Sequence, residues 1–375
     1  MTETAKIAVV TGGTAGVGRA TVDALLDRGH RVAVFARGQS RLDELQRQYG
    51  DRVWTRSVDV ARDDQVREAV DALVSHWGKP EIWVNSVMLT SVSKFADVDE
   101  DEFRKITDAT YLGTVNSCRH ALRVMDRGNI VNVGSGLGYR AVPFQAAYCG
   151  AKHAINGFSQ ALRSEIIREG RPIELSLVQL PAVNTPQFDW CRNRLERKPQ
   201  PAPPIFQPEV PAQGILKAID DDAREILVGR SALQLVFGNM LFPDLLDGVL
   251  ADQGKDMQQS EQIDYGRKDN LDGPVEGMPS KAHGSFDDRA ESSGVTVDAD
   301  ATRKTVALGA AALLVGLGVM AGRASAGRAM PKPTRGHSGD RVEQSDRTRP
   351  WGYGRAAVGG DYAGERSYRP STYLS

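Results

Sequence analysis

The sequence predicts an α/β protein built on a doubly wound parallel sheet, with helices covering both faces of the sheet. Three observations in the first 250 residues support this prediction. Short β-branched runs alternate with longer stretches of helical period, several of the runs are apolar throughout, and a glycine-rich turn joins the first run to the first helical stretch. Because such alternation forms right-handed crossovers, we expect a single domain over residues 1–252.

The individual elements can be placed from the same patterns. The predicted strands are residues 7–10, 31–35, 53–58, 82–84, 130–133, 173–178 and 226–228. The clearest predicted helices are residues 17–27, 63–77 and 146–168. The alternation stops near residue 254, so the chain beyond it is interpreted as a largely unstructured extension rather than a second α/β domain.

Length and composition exclude several classes of protein. The chain has 375 residues, of which 41% are hydrophobic and 25% charged, which excludes wholesale disorder and a multi-span membrane protein. A net charge of −1 suggests no nucleic-acid partner. Three cysteines suit a reducing compartment, and residues 1–6 do not resemble a secretory signal peptide, so we expect a cytoplasmic catalytic domain.

The extension divides into three segments by charge. Residues 253–304 form an acidic polar connector, residues 305–322 are 18 residues without a charge, and residues 323–375 form a basic tail that we expect to be disordered. A helix of 18 residues spans about 27 Å, close to the ~30 Å hydrocarbon core of a bilayer, so residues 305–322 predict a membrane anchor. An Ala-rich helix buried against the domain or a partner is the alternative. The basic tail also favours the cytoplasmic side, which leaves open whether the segment crosses the membrane or dips into it.

A glycine-rich turn follows the first predicted strand and opens the first predicted helix. Its sequence is Thr11-Gly12-Gly13-Thr14-Ala15-Gly16-Val17-Gly18. Glycines allow backbone to approach a pyrophosphate closely, and a helix N-terminus offers free N–H groups and the positive end of its dipole. A turn of this kind can also connect strand and helix without a ligand, but its position between the two favours a dinucleotide site.

The ends of the next three strands bear on the choice of cofactor. An acidic residue ending the second strand would accept hydrogen bonds from the ribose 2′-OH of NAD, but the chain has Arg37 there. Arg37 can face a 2′-phosphate, which favours NADP(H) over NAD(H); a solvated surface arginine is the alternative. Asp59 could bond an adenine amino group, and Asn85 could hold backbone near the cofactor, although each could equally cap a turn.

Three residues after the fifth strand suggest proton transfer. Ser135 ends that strand, Tyr148 lies 13 residues on, and Lys152 four residues further, on the same helix face. A free tyrosine has a pKa of about 10, and a nearby ammonium group lowers it. Ser135 could then hold a substrate oxygen while Tyr148 passes a proton. Taken alone, a Tyr/Lys pair at this spacing is more often an ordinary surface feature.

Together these residues resemble the short-chain dehydrogenase/reductase superfamily over residues 6–250. The matching features are the Thr-Gly-x3-Gly-x-Gly turn at 11–18, Asp59, the turn begun by Asn85, Ser135, and the Tyr148-x3-Lys152 pair, all in the family's order. The resemblance implies a Rossmann-type fold with Tyr148 as general acid/base. It also implies that Lys152 binds the nicotinamide ribose and lowers the pKa of Tyr148, and that Ser135 orients the substrate carbonyl.

The resemblance also implies a set of cofactor contacts. The predicted cofactor-binding residues are Gly12, Thr14, Gly16, Val17, Gly18, Arg37, Asp59, Val60, Asn85, Tyr148, Lys152, Val183 and Thr185. Two departures from the family stand out. The Asn-Asn-Ala-Gly turn is replaced by residues 85–88, Asn-Ser-Val-Met, and the family's fourth catalytic residue, an asparagine, is replaced by Thr110. Thr110 could support the same proton relay through its hydroxyl, or the relay is altered.

The substrate side is less well defined. Residues 186–211 form the predicted lid and contain Phe188, Trp190 and Phe206, which suggests an apolar substrate, although packing of the lid on the core explains them equally well. The apolar excess in residues 231–250 suits a subunit interface in a homo-oligomer, or lid packing. The histidines lack metal-ligand spacing with acids or cysteines, so no metal site is predicted.

These observations lead to two functional hypotheses. The first is an NADP(H)-dependent oxidoreductase that acts on a small carbonyl or alcohol, with a lipophilic substrate, and that is tethered to a membrane through residues 305–322. The second is a non-catalytic nucleotide-binding scaffold or sensor at a membrane. The presence of Ser135, Tyr148 and Lys152 together favours the enzyme.

Overall fold

The computed structural model describes residues 5–309 and 311, and strands alternate with helices over most of them. The strands are β1 (Ile7–Thr11), β2 (Arg31–Ala36), β3 (Val53–Ser57), β4 (Ile82–Asn85), β5 (Ser91–Val92), β6 (Gly128–Val133), β7 (Ile173–Gln179), β8 (Ala182–Val183), β9 (Arg192–Asn193), β10 (Arg197–Pro199), β11 (Ile205–Phe206), β12 (Glu225–Val228), β13 (Gln259–Ile263), β14 (Ala290–Glu291) and β15 (Thr296–Asp298). The helices are α1 (Gly16–Asp27), α2 (Gln39–Tyr49), α3 (Asp63–Trp77), α4 (Glu100–Thr107), α5 (Gly113–Val124), α6 (Ala146–Arg168), α7 (Gln187–Trp190), α8 (Glu209–Asp220), α9 (Gly229–Leu241) and α10 (Pro243–Met257), followed by a helix over residues 299–309. All of these elements lie within the compact unit Met1–Val315.

Eight strands form the central sheet in the order β15-β12-β7-β6-β4-β1-β2-β3. Every neighbouring pair is parallel except β12 and β15, which are antiparallel. The seven parallel strands are the seven predicted from the sequence, and the three clearest predicted helices are α1, α3 and α6. The predicted fold class is therefore confirmed.

Both faces of the sheet are buried at its centre, which is why β1 is apolar up to its last residue. Along β1, Ala8 and Val10 belong to one core cluster, whereas Ile7 and Val9 belong to the other. The alternation follows from the two-residue period of a strand, whose successive side chains point to opposite faces. Each face is covered by helices, so neither row of side chains reaches solvent.

The carboxyl ends of the parallel strands meet at one edge of the sheet, and this edge collects the predicted site residues. β1 leads into the glycine-rich turn, β6 leads to Ser135, and β7 leads towards Thr185. Helix α6 then brings Tyr148 and Lys152 back beside Ser135. In open α/β sheets this edge is where ligands bind.

The predicted division at residue 252 does not coincide with a structural boundary, because it falls inside α10. Residues 253–304 pack along the domain and contribute β13, β14 and β15, which pair with β10, β11 and β12 respectively. Acidic side chains of this connector pair with basic groups of the domain: Asp300 with Arg224, and Asp269 with Arg192.

The apolar segment 305–322 lies mostly outside the described residues, which include only 305–309 and 311 of it, and the tail 323–375 lies outside them entirely. Within residues 5–309 and 311, no helix is both long enough and apolar enough to cross a membrane. Membrane attachment, disorder of the tail and homo-oligomerisation stay predictions.

Candidate active site

A cavity of about 560 Å³ opens at the carboxyl edge of the sheet. Its lining includes the glycine-rich turn, Arg37, Tyr148 and the lid residues Phe188 and Trp190. Every residue predicted to bind the cofactor lines this cavity except Asn85, and every predicted catalytic residue lines it except Thr110. Its size lies within the range of ordinary ligand pockets, about 300–1,000 Å³.

The glycine-rich turn is shaped for close approach of backbone. Gly12 has a φ of 76°, and a Cβ there would lie 3.0 Å from the carbonyl carbon of Ser86. A Cβ on Gly18 would lie 2.3 Å from the carbonyl oxygen of Gly12. Helix α1 begins at Gly16 with no acidic residue in its first turn, so its N-terminal N–H groups keep a positive field towards the cavity. This turn fits the pyrophosphate of a dinucleotide.

Ser135, Tyr148 and Lys152 converge on the cavity wall. Tyr148 hydrogen-bonds Ser135, whose Oγ also accepts a hydrogen bond from the N–H of Leu137 at 3.1 Å. Lys152 Nζ donates to the carbonyl oxygen of Val133 at 2.6 Å and lies 5.7 Å from the centre of the Tyr148 ring. The arrangement joins a hydroxyl donor, a phenol and an ammonium group at one point of the cavity.

Burial controls the protonation of this group. Desolvation raises the pKa of Tyr148, although its hydrogen bond with Ser135 works against the rise. Desolvation also lowers the pKa of Lys152 to about 7. We expected Lys152 to lower the pKa of Tyr148, but this structure does not show that. The burial that raises the pKa of Tyr148 also lowers the pKa of Lys152, so a smaller fraction of the lysine is protonated at neutral pH.

Two arginines, Arg37 and Arg41, line the cavity beside the lid residue Trp190. Arg37 Nη2 donates to the carbonyl oxygen of Asn270 at 2.6 Å, and Arg41 Nη1 donates to that of Val275 at 2.7 Å. The Arg41 guanidinium lies 5.1 Å from the centre of the Trp190 ring. Arg41 is 6% exposed, and its Nε is buried without a partner among the described residues.

Burial lowers the pKa of both guanidinium groups, although the carboxylates of Asp59 and Asp272 act against this at Arg37 and that of Glu276 acts against it at Arg41. Their hydrogen-bond acceptors here are neutral carbonyls. Two partly desolvated positive charges whose hydrogen-bond partners are neutral favour a further anion beside them, as a ribose 2′-phosphate would supply. The donor set therefore fits a phosphorylated dinucleotide.

Comparison with known families identifies the chain. The short chain dehydrogenase family model matches residues 6–194, half of the sequence. The chain belongs to the short-chain dehydrogenase family.

Individual relatives agree with this assignment. The uncharacterized oxidoreductase YxnA of Bacillus subtilis is 27% identical over 254 residues, which cover 65% of this chain and 71% of YxnA. An NADPH-dependent pterin aldehyde reductase of Arabidopsis thaliana is 32% identical over 169 residues, covering 44% and 70% of the two chains. A short-chain dehydrogenase of Streptomyces avermitilis superimposes with a TM-score of 0.57 at 25% identity, covering 68% of this chain and 97% of the other. The chain is thus an oxidoreductase of this family.

Asn85 has a structural position in this dehydrogenase. It is 3% exposed; its Nδ2 donates to Asn132 Oδ1 at 2.8 Å, and its Oδ1 accepts from Trp83 Nε1 at 2.9 Å. These bonds tie β4 to β6 beneath the cavity. The side-chain amide of Asn85 therefore holds the backbone at this strand end, and its part in binding the cofactor stays a prediction.

Thr110 likewise lies behind the cavity wall. It sits in a π-helical turn, Asp108–Leu112, and is fully buried. Its Oγ1 accepts from the N–H of Leu89 at 3.0 Å and is 3.3 Å from the Leu89 carbonyl oxygen, to which it donates. Thr110 thus clamps the segment that follows residues 85–88, and its part in a proton relay stays a prediction.

Three further residues shape the site without having been predicted. Gln179 is fully buried and accepts a hydrogen bond from the backbone N–H of Ser135 at 2.8 Å. Its Nε2 donates to Glu225 at 2.9 Å, so Ser135 is held by a buried polar chain. Arg41 could have been found from its spacing, since four residues after Arg37 is one helical turn, whereas nothing local marks Gln179 or Glu225.

Proposed function

We propose that this dehydrogenase transfers a hydride between NADP(H) and a carbonyl or alcohol substrate. The observation that supports this most is the convergence of Ser135, Tyr148 and Lys152 on a cavity that also contains the glycine-rich turn. The turn and the first helix would hold the pyrophosphate, Lys152 the nicotinamide ribose, and Thr185 the carboxamide. The bound nicotinamide supplies or accepts the hydride.

Tyr148 moves the proton in this proposal. Its raised pKa keeps the phenol protonated at neutral pH, so it is ready to donate to a substrate oxygen that Ser135 holds. Reduction of a carbonyl consumes that proton. Oxidation of an alcohol requires the phenolate instead, so we expect the oxidative rate to increase as the pH rises.

The choice of NADP(H) over NAD(H) depends on Arg37 and Arg41. Arg41 is buried and Arg37 is half-buried at the part of the cavity where the adenosine would lie, and their hydrogen-bond partners are neutral carbonyls. The NADPH dependence of the Arabidopsis relative, which is 32% identical, supports the same choice.

A lipophilic substrate is supported by the other end of the cavity. Among the described residues that line the cavity, Arg37, Arg41, Asp59 and Lys152 are the charged ones. The walls away from the cofactor are apolar or uncharged; they include Leu137, Val142, Leu180, Phe188, Leu235, Leu246, Leu250 and Met257. Such walls favour a ketone, aldehyde or secondary alcohol with an apolar body.

The test is a panel of lipophilic and polar carbonyls with NADPH and with NADH, comparing the wild type with Tyr148→Phe. We expect turnover with NADPH and a loss of kcat of about 10²–10⁴-fold in the variant, since proton transfer by a positioned group contributes that much. Tyr265→Phe is the matched control, because Tyr265 is 90% exposed. Nicotinamide binding without turnover of any carbonyl would favour the nucleotide-binding scaffold, and a preference for NADH would contradict the arginine argument.

A further inference from the structure

Residues 264–287 run across the outer side of the cofactor end of the cavity, and we call this segment the strap. It contains no regular secondary structure, and each of its contacts considered below joins it to a group of the domain. Two of its residues, Asn270 and Pro274, line the cavity itself. The strap is therefore a wall of the site although it lies outside the strand–helix pattern.

The first anchor of the strap is the lid. The N–H of Asn270 donates to the carbonyl oxygen of Trp190 at 2.9 Å. Arg192 Nε donates to Asp269 Oδ2 at 2.9 Å, and this aspartate is largely buried. The strap thus begins fixed to the segment that closes the substrate side.

The second anchor is the pair of arginines. Arg37 and Arg41 donate to the carbonyl oxygens of Asn270 and Val275, at 2.6 and 2.7 Å. The side chains that would hold a 2′-phosphate are therefore themselves held by the strap. A phosphate that enters or leaves from this side has to pass the same backbone.

The third anchor is the glycine-rich turn. The N–H of Gly16 donates to the carbonyl oxygen of Lys281 at 3.1 Å. The Oγ of Ser280, which is 7% exposed, donates to the carbonyl oxygen of Thr14 at 3.0 Å and accepts from Arg19 Nη1 at 2.9 Å. The strap is thus bonded to the turn that would cradle the pyrophosphate.

The fourth anchor is the segment at Thr185. The N–H of Gly284 donates to the carbonyl oxygen of Asn184 at 3.3 Å. A Cβ on Gly284 would lie 2.4 Å from the carbonyl oxygen of Thr185, so only glycine lets the strap lie this close. The strap therefore contacts residues proposed to hold the adenosine end, the pyrophosphate and the nicotinamide carboxamide of the cofactor.

We propose that the strap gates the exchange of the dinucleotide, so that NADP(H) enters and leaves only when the strap detaches from the glycine-rich turn and Thr185. This inference rests on the proposed function, because it requires NADP(H) as the ligand. Four anchors along one segment make detachment a concerted event, and hydrogen bonds that must break together slow an opening step. A bound dinucleotide is accordingly expected to dissociate slowly.

The test measures NADPH association and dissociation rates by stopped-flow fluorescence, in the full-length protein, with NADP⁺ as the displacing ligand. Gly284→Ala is the test variant, because the added methyl group forces the strap away from the carbonyl oxygen of Thr185. Gly273→Ala is the matched control: it makes the same substitution in the same strap, at a position where a Cβ meets nothing within 4 Å. Neither glycine has a left-handed φ.

A gate predicts that Gly284→Ala increases both the association and the dissociation rate, by about 10-fold each, the change produced by losing roughly one net hydrogen bond. Gly273→Ala is expected to match the wild type. A higher dissociation rate with an unchanged or lower association rate would mean damage to Thr185, not a gate, and would overturn the proposal. Unchanged rates in a folded Gly284→Ala protein that binds NADPH would also overturn it.

Ser280→Ala is the second variant, in case Gly284→Ala does not fold. It removes the bonds of the hydroxyl to Thr14 and Arg19 and adds no bulk, and the same rise of both rates is expected. If the wild type binds no NADPH at all, the proposed function fails and this inference fails with it. If the wild type binds NADPH but both variants exchange it at the wild-type rates, only the gate is refuted.

Discussion

The strand–helix domain and the segment that follows it, residues 253–304, are held together by different forces. The domain buries two extensive apolar clusters, one on each face of the sheet. Among residues 253–304, by contrast, Leu271 and Ala299 are the buried hydrophobic side chains. That segment is attached through hydrogen bonds and ion pairs, such as those of Asp300 with Arg224 and of Ser280 with Arg19.

This difference has consequences for stability and for function. Apolar burial is cooperative and supports the global stability of the domain. A segment held by polar contacts near solvent opens at a lower free energy than the core does. Residues 253–304 therefore combine a fixed position beside the cofactor cavity with the capacity to detach, which a wall that gates a ligand requires.

The largest effect is expected where the polar segment reaches into the core. Arg303 Nη2 donates to Glu225 Oε2 at 2.6 Å, and the Glu225 side chain is 1% exposed. Arg303→Ala removes the nearer of two arginines from a buried carboxylate and leaves Arg224 at 3.7 Å, so we expect the free energy of unfolding to fall by about 3 kcal/mol, the low end for breaking a buried ion pair. Chemical denaturation of the two proteins measures this loss.

Lys304→Ala is the control for Arg303→Ala, because Lys304 is the exposed neighbour on the same helix. Adding Glu225→Gln to Arg303→Ala removes the stranded charge and is expected to restore part of the loss. Equal destabilisation by Lys304→Ala would show that the helix over residues 299–309, and not the ion pair, stabilises the protein. That result would mean that the Arg303–Glu225 ion pair is not one of the contacts that hold residues 253–304 to the domain.

A smaller effect is expected at the boundary between domain and strap. Arg41 belongs to α2 but is held by the carbonyl oxygen of Val275. Arg41→Ala removes one charged donor from the proposed 2′-phosphate site, so we expect KM for NADPH to rise about 10–100-fold, in line with a hydrogen bond to a charged group. Steady-state kinetics with both cofactors should show little change for NADH.

Arg47→Ala is the matched control for Arg41→Ala, because Arg47 is an exposed arginine on the same helix. A parallel rise of KM for NADPH and NADH would assign Arg41 to the position of the strap rather than to the phosphate. Such a result would mean that the hydrogen bond of Arg41 to the strap matters more for cofactor binding than the charge of Arg41 does.

The smallest effect is expected from pH. His283, on the strap, lies 2.9 Å from Glu209 and 2.8 Å from Asp287. Although partial burial lowers it, hydrogen bonds with these two carboxylates raise the pKa of His283 above its ordinary value of 6.5. The ion pairs therefore stabilise the folded protein fully below about pH 6.5, and this contribution is lost as the pH rises through the raised pKa.

Melting temperatures of the wild type and His283→Gln, followed between about pH 5 and pH 8, test this dependence. The wild type is expected to exceed the variant at the acidic end, and the two curves are expected to converge at the alkaline end. The difference is small because His283 is 40% exposed in its side chain. A gap that widens with rising pH would contradict the assignment.

Much of this dehydrogenase was determined by local sequence. The parallel strands and α1, α3 and α6 follow from hydrophobic periodicity, because burial on both sheet faces requires apolar residues at fixed spacing. Ser135, Tyr148 and Lys152 could be predicted for a related reason: one strand end and one helical turn bring them together within 18 residues.

The partners of the polar groups were decided only by the tertiary structure. Arg37 meets Asn270 across 233 residues, and Ser280 meets Thr14 across 266. Asn85 and Thr110 resemble site residues in sequence, yet their hydrogen bonds are completed by Asn132 and Leu89 behind the cavity wall. Periodicity indicates which residues are buried, but a donor can donate to any suitable oxygen, so only the folded chain selects the oxygen that each donor meets.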